Sequence, residues 1–136
     1  MRKLGFLVLS LCLACALVAC GKSEQQEDRI KVVNASAEEL YGFGYTYYIN
    51  ENIVSSGGAC NADNSAIKIG DVFPLENHSS LENAKNVELE LSVVDKEGVE
   101  YPCATKISLD EENEIPCEIK VTGDFENGFD ASVETK

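Results

Sequence analysis

The 136-residue chain has no tryptophan, a single histidine and a single methionine. It carries 11 lysines and arginines against 24 aspartates and glutamates, for a formal net charge of −13. So few cations, with no basic cluster anywhere, exclude nucleic acid and anionic lipid heads as electrostatic partners, because both are held by grouped lysine and arginine. The lone histidine, His78, lies in the polar stretch Glu76-Asn77-His78-Ser79. Serine or cysteine nucleophiles need a base within hydrogen-bond reach, and no nucleophile motif accompanies His78. Paired carboxylates for glycoside hydrolysis are available in any chain this acidic, but nothing singles out one pair. No catalytic residue is assigned, and the chain is read as a non-enzyme.

Long apolar runs are also scarce; there is one, at the start. Met1-Arg2-Lys3 is followed by Leu4 to Ala19 without a charge. A positive start, a short apolar core and small residues before a cut site mark a secretory signal peptide, and the run is at the short limit of the roughly 20 residues that span a bilayer. It ends in Leu17-Val18-Ala19-Cys20, which resembles the lipobox of bacterial lipoproteins. The resemblance covers residues 1–20 only. It implies that Cys20 receives a diacylglyceryl group and becomes the first residue of the mature chain, with residues 1–19 removed. Two acyl chains hold a protein lastingly where one is marginal, at about 0.8 kcal/mol per buried CH₂. Gly21 rather than aspartate follows Cys20, which by the known sorting rule favours the outer membrane in a Gram-negative cell. The expected location is the cell envelope, on the cell membrane or the outer membrane, with the domain outside the cytoplasm.

Removal of the first 19 of 136 residues takes Arg2 and Lys3 and no acid, leaving 9 basic against 24 acidic residues, a net charge of about −15. Residues 20–28 carry GKSEQQED after the lipidated cysteine. With no apolar side chain to bury, this segment reads as a flexible acidic tether. One domain is expected over residues 29–136.

That domain is read through period-two alternation. Tyr41, Phe43, Tyr45, Tyr47 and Ile49 form one aromatic face of a strand, and Ile53 to Cys60 returns beside it. Glu51-Asn52 as a two-residue turn sets Val54, Ser56, Gly58 and Cys60 next to those aromatics. Ile30 to Asn34 and Ile67 to Phe73 are further strands, the latter ended by Pro74, and one helical turn is allowed over Ser80 to Ala84. Val87, Leu89, Leu91 and Val93 alternate with Glu88, Glu90 and Ser92 in the strongest strand. Asp95 to Gly98 suits a type I turn with glycine left-handed, returning as Val99 to Leu109, where Pro102 marks an edge or a bulge. Cys117, Ile119 and Val121 face one way, and Asn127-Gly128 signals a closing hairpin. Seven or eight short strands with frequent turns predict an all-β immunoglobulin-like sandwich, with a small β-barrel as the alternative.

Cys60, Cys103 and Cys117 remain after lipidation, in a compartment where disulfides persist. The registers above turn all three inward and predict a bridge from Cys60 to Cys103, with Cys117 as the alternative partner. A zinc site is not expected, since the mature chain has no CxxC. Asp124 to Asp130 resembles a calcium loop faintly, but its glycine is misplaced and Thr135 stands where the closing glutamate belongs, so an EF-hand is rejected. Asn61 to Ser65 and Asp110 to Glu114 remain weak calcium candidates. No cofactor and no metal are assigned. The function expected is a membrane-tethered, non-catalytic binding module for an envelope or extracellular protein or ligand. The alternatives are a purely structural envelope lipoprotein and, behind it, an uncharacterised hydrolase.

Overall fold

A computed structural model describes residues 30–75, 81, 84–109 and 117–134. Residues 1–29, with Cys20 and the tether, lie outside that set, as do His78 and the run Asp110 to Glu114. The described chain forms nine strands: β1 (Lys31–Asn34), β2 (Gly42–Ile49), β3 (Asn52–Ala59), β4 (Val72–Pro74), β5 (Val87–Val94), β6 (Glu100–Pro102), β7 (Ile107–Ser108), β8 (Glu118–Asp124) and β9 (Gly128–Val133). They build two packed sheets, a β-sandwich and not a closed barrel. One sheet has the order β4-β1-β8-β9. In the other, β3-β2-β5 is completed by β6 and β7, which share the far side of β5. All neighbours are antiparallel except β1 and β8.

Alternation decides which face is buried. Val87, Leu89, Leu91 and Val93 turn inward from β5, Phe43 and Tyr47 from β2, Ile119 and Val121 from β8, and Phe129 and Ala131 from β9. Burying each large apolar side chain is worth about 1.5–3 kcal/mol. Phe43 and Tyr47 are fully buried and are the largest side chains of a core that has no tryptophan. At one end Tyr101, Phe125 and Phe129 close the core edge to face, with centroids 5.1 Å apart for Tyr101–Phe125 and Phe125–Phe129.

The return from β5 is a split edge. Gly98 takes φ of 82°, and the Asp95 carboxylate accepts the Glu97 and Val99 amides, so the expected turn is present. β6 stops at Pro102. The Cys103 amide bonds the Leu91 carbonyl at 2.8 Å, while the Ala104 amide crosses to the Phe129 carbonyl of the opposite sheet at 3.0 Å. The chain then rejoins β5 as β7. Proline interrupts the edge strand as expected, and the interruption stitches the two layers together.

Two expectations are corrected. Ile67 to Phe73 is not one strand: Ile67 makes an isolated bridge to Leu40, and a turn with Gly70 at φ of 90° intervenes before β4, which includes Pro74. In the β2–β3 hairpin the turn is Asn50-Glu51, both left-handed at φ of 49° and 67°, the type I′ geometry that matches strand twist. Asn50 is pinned there by Asn86, whose side-chain amide donates to Asn50 Oδ1 at 2.8 Å.

Candidate functional site

The site begins with a bulge. Tyr47 pairs with Ser55 but Tyr48 pairs with Ile53, so Val54 is an extra residue in β3. One inserted residue reverses every side chain beyond it. Ser55, Gly57 and Ala59 therefore face inward, and Ser56, Gly58 and Cys60 turn to the outer face. Gly57 lies under the Tyr45 ring, where a Cβ would stand 2.7 Å from the tyrosine oxygen.

That reversal overturns the geometry behind the Cys60–Cys103 bridge. All three thiols are free, Cys60 exposed and Cys103 and Cys117 buried. Cys103 lies level with Leu91, Tyr45 and Gly57 across the sheet. Cys60 is thus three strands away, roughly 14 Å, and three residues further along. A disulfide needs Cα atoms within about 7 Å. Cys117 is no closer to Cys60, being near Tyr47 towards the other end of β2. Nor does it reach Cys103, which is bridged to Phe129 opposite Gly123, six residues along the strand from Cys117 and roughly 20 Å away. Burial pushes the Cys103 thiol up to about 12 and raises Cys117 as well. Native alkylation at about pH 8 is therefore expected to modify Cys60 alone of the three, with Cys103 and Cys117 reacting only after denaturation. Peptide mapping by mass spectrometry reads this directly, and a disulfide-linked Cys60 peptide would contradict it.

β3 is an edge of its sheet and, with β2 and β5, one of its three longest strands. Its sequence, NIVSSGGA, contains no charge and no proline. The other edges are short, interrupted or charged: β4 has three residues ending in Pro74, β6 and β7 are split, and β9 carries Asp130. Hydrogen-bonded pairs alternate along a hairpin. With the Asn50-Glu51 turn, Ile49–Asn52, Tyr47–Ser55, Tyr45–Gly57 and Phe43–Ala59 are the bonded pairs. Ile53, Ser56 and Gly58 then direct their N–H and C=O groups away from β2. Among the described residues, no strand meets them.

Beside this edge the outer sheet face is floored by glycine. Gly42, Gly44 and Gly58 lie together there, and an open groove of about 600 Å³ runs over Gly42 and Gly58 between Cys60 and Asn64 on one side and Val94 and Lys96 on the other. The Glu100 side chain reaches from β6 across β5, accepts a hydrogen bond from the Ser92 hydroxyl and covers Gly44, where any Cβ would overlap both groups. Further along the face Lys106 stands over the Tyr48 ring at 3.9 Å and pairs with Glu90 at 3.4 Å. Both partners of that ion pair are solvated, so it adds little stability.

The weak calcium candidate at Asn61 to Ser65 is tied to itself. The Asn61 amide donates to the Ser65 carbonyl at 3.1 Å, and the Asp63 pKa is lowered by the Ser65 side chain and then by the Ser65 amide, 3.0 Å from the carboxylate. Asp124 caps the β8–β9 turn, accepting the Glu126 and Asn127 amides at 2.9 and 2.6 Å. Glu100 and the β3 edge went unread in the sequence. Gly57-Gly58 inside a strand was the available signal, since glycine there marks a bulge or a close approach. No protein-family model matches the chain, and no curated protein or solved structure matches it significantly.

Proposed function

We propose that the chain is a lipid-anchored, extracytoplasmic binding module that works by contact and not by catalysis. The observation that supports this best is the β3 edge, an uncharged eight-residue strand beside a glycine-floored groove. Folded proteins ordinarily blunt such edges with charge, proline or shortness, because a bare edge templates pairing with another chain. Here the other edges carry such devices, while β3 has only its bulge at Val54, next to the turn, and none along Ser55 to Ala59. The lipobox-like run ending at Cys20 supports the anchor.

The anchor is tested by Cys20→Ser, which is expected to abolish incorporation of labelled fatty acid and to leave the precursor unprocessed. An intact mass for the membrane form that includes residues 1–19 and no lipid would remove the anchor from the proposal. The binding role is tested by crosslinking in the native cell, with identification of what is attached to the anchored protein. Recovery of no partner other than lipid would favour a purely structural role.

A further inference from the structure

We infer that the β3 edge takes an extended peptide segment as an added strand, and that this segment carries an arginine or lysine opposite Gly58 that reaches Glu100. The inference rests on the binding-module reading and names its site and ligand chemistry. Three observations carry it. First, beyond the bulge Ser56 and Gly58 direct backbone donors and acceptors outward in the alternating pattern that an added strand completes. Second, the side chains from Ser55 to Ala59 are all small, so larger side chains on a new strand meet no wall. Third, the charge is set for a cation. Glu100 lies over Gly44, held by the Ser92 hydroxyl, and among the described residues its carboxylate has no cationic partner.

Strand spacing fixes the side chain required. A residue opposite Gly58 on the added strand points to the same face as Gly58 and starts about two strand spacings, roughly 9.6 Å, from Gly44. Between them lie only glycines, Gly58 and Gly44 being partners across β2 and β3. A long cationic side chain lays its methylenes over that bare floor and brings its charge to the Glu100 carboxylate. A short or acidic residue there makes no such contact. A second copy of this chain is the poorer occupant, because it presents the same net negative charge and no cation within β3.

The test uses the full lipidated protein in detergent and an end-capped, fluorescein-labelled nonapeptide. The peptide alternates threonine and valine, with one central arginine on the threonine face. Binding is read by anisotropy. The peptide is expected to bind, to lose binding when the amides that would donate to β3 are N-methylated, and to weaken about tenfold when glutamate replaces arginine. Ser56→Pro removes one outward N–H at an edge position where proline is tolerated. It is expected to melt like the parent and lose most of the binding. Glu100→Gln is expected to keep backbone-dependent binding while abolishing the preference for arginine over glutamate. Lack of peptide binding, or binding indifferent to both N-methylation and Ser56→Pro, overturns the inference. So does sedimentation of the parent as a dimer that Ser56→Pro converts to monomer, which assigns the edge to a second copy. Crosslinking of Ser56→Pro in the native cell separates the two levels of argument. A partner retained by the variant leaves the binding role standing and removes β3 as its site.

Discussion

Asn34→Leu is expected to destabilise the domain by roughly 3–5 kcal/mol, the largest single effect among the polar residues. Asn34 is fully buried at the end of β1. Its amide donates to the Glu38 and Ile67 carbonyls, each at 2.9 Å, and its Oδ1 accepts the Ser36 amide at 3.1 Å and the Ser36 hydroxyl at 2.6 Å. Both donors and the acceptor are thus satisfied. Leucine fills the same space but orphans the Ser36 amide, at about 1–3 kcal/mol, and takes one hydrogen bond, at about 0.5–1.5 kcal/mol, from each of the Glu38 and Ile67 carbonyls, which keep the Ser36 hydroxyl and the Leu40 amide. Whole domains are stable by only about 5–15 kcal/mol. A thermal melt of the variant should fall by about 15 °C or more, at roughly 4–8 °C per kcal/mol for a chain of this size. A loss below about 1 kcal/mol by urea titration would show that water or a local shift replaces Asn34.

The second large effect is expected in alkali. The Cys103 thiol has an ordinary value of 9.0 and is held protonated to about 12, first by burial and then by the nearby Asp130 carboxylate. Between those values the unfolded chain has shed a proton that the folded chain keeps. Stability therefore falls as pH rises through that window, by about 1.4 kcal/mol per unit and up to roughly 4 kcal/mol in all. Burial raises Cys117 and Tyr47 in the same direction, so their losses add, starting near 9.0 and 10.0. Urea midpoints should be level from about pH 7 to 8.5 and decline steeply above. Cys103→Ala should flatten the decline. An identical decline in that variant would assign the alkaline loss to other groups.

Asn34 also shows what the sequence could not convey. Its carbonyl partner at Ile67 is 33 residues away, so nothing local distinguishes it from any asparagine at a strand end. The strands that alternate without interruption were legible, as in Val87 to Val93, because one buried face imposes a period of two. The two-layer sandwich followed from counting such strands. What failed was register. Asn50-Glu51-Asn52 announces a turn but not which pair turns, and Gly57-Gly58 marks an irregular strand without placing the bulge at Val54. Both the fate of Cys60 and the site on β3 hang on that one residue. Glu100 was unreadable for a related reason: its meaning comes from Gly44, on a strand two places across the sheet.

β1 bears on how the molecule would carry load. It is flanked on both sides, by β4 through three paired positions and by β8 through four. The described chain begins at Ile30, immediately before it. Under the proposed anchoring, tension between the N-terminus and a partner held elsewhere on the domain would load β1 first. The bonds to both neighbours are then sheared together instead of being peeled one at a time. Resistance to such pulling is a rate, set by the unfolding barrier. Force spectroscopy with a handle at the N-terminus should find the domain slower to rupture than with a handle in β3, which among the described residues has a neighbour on one side only.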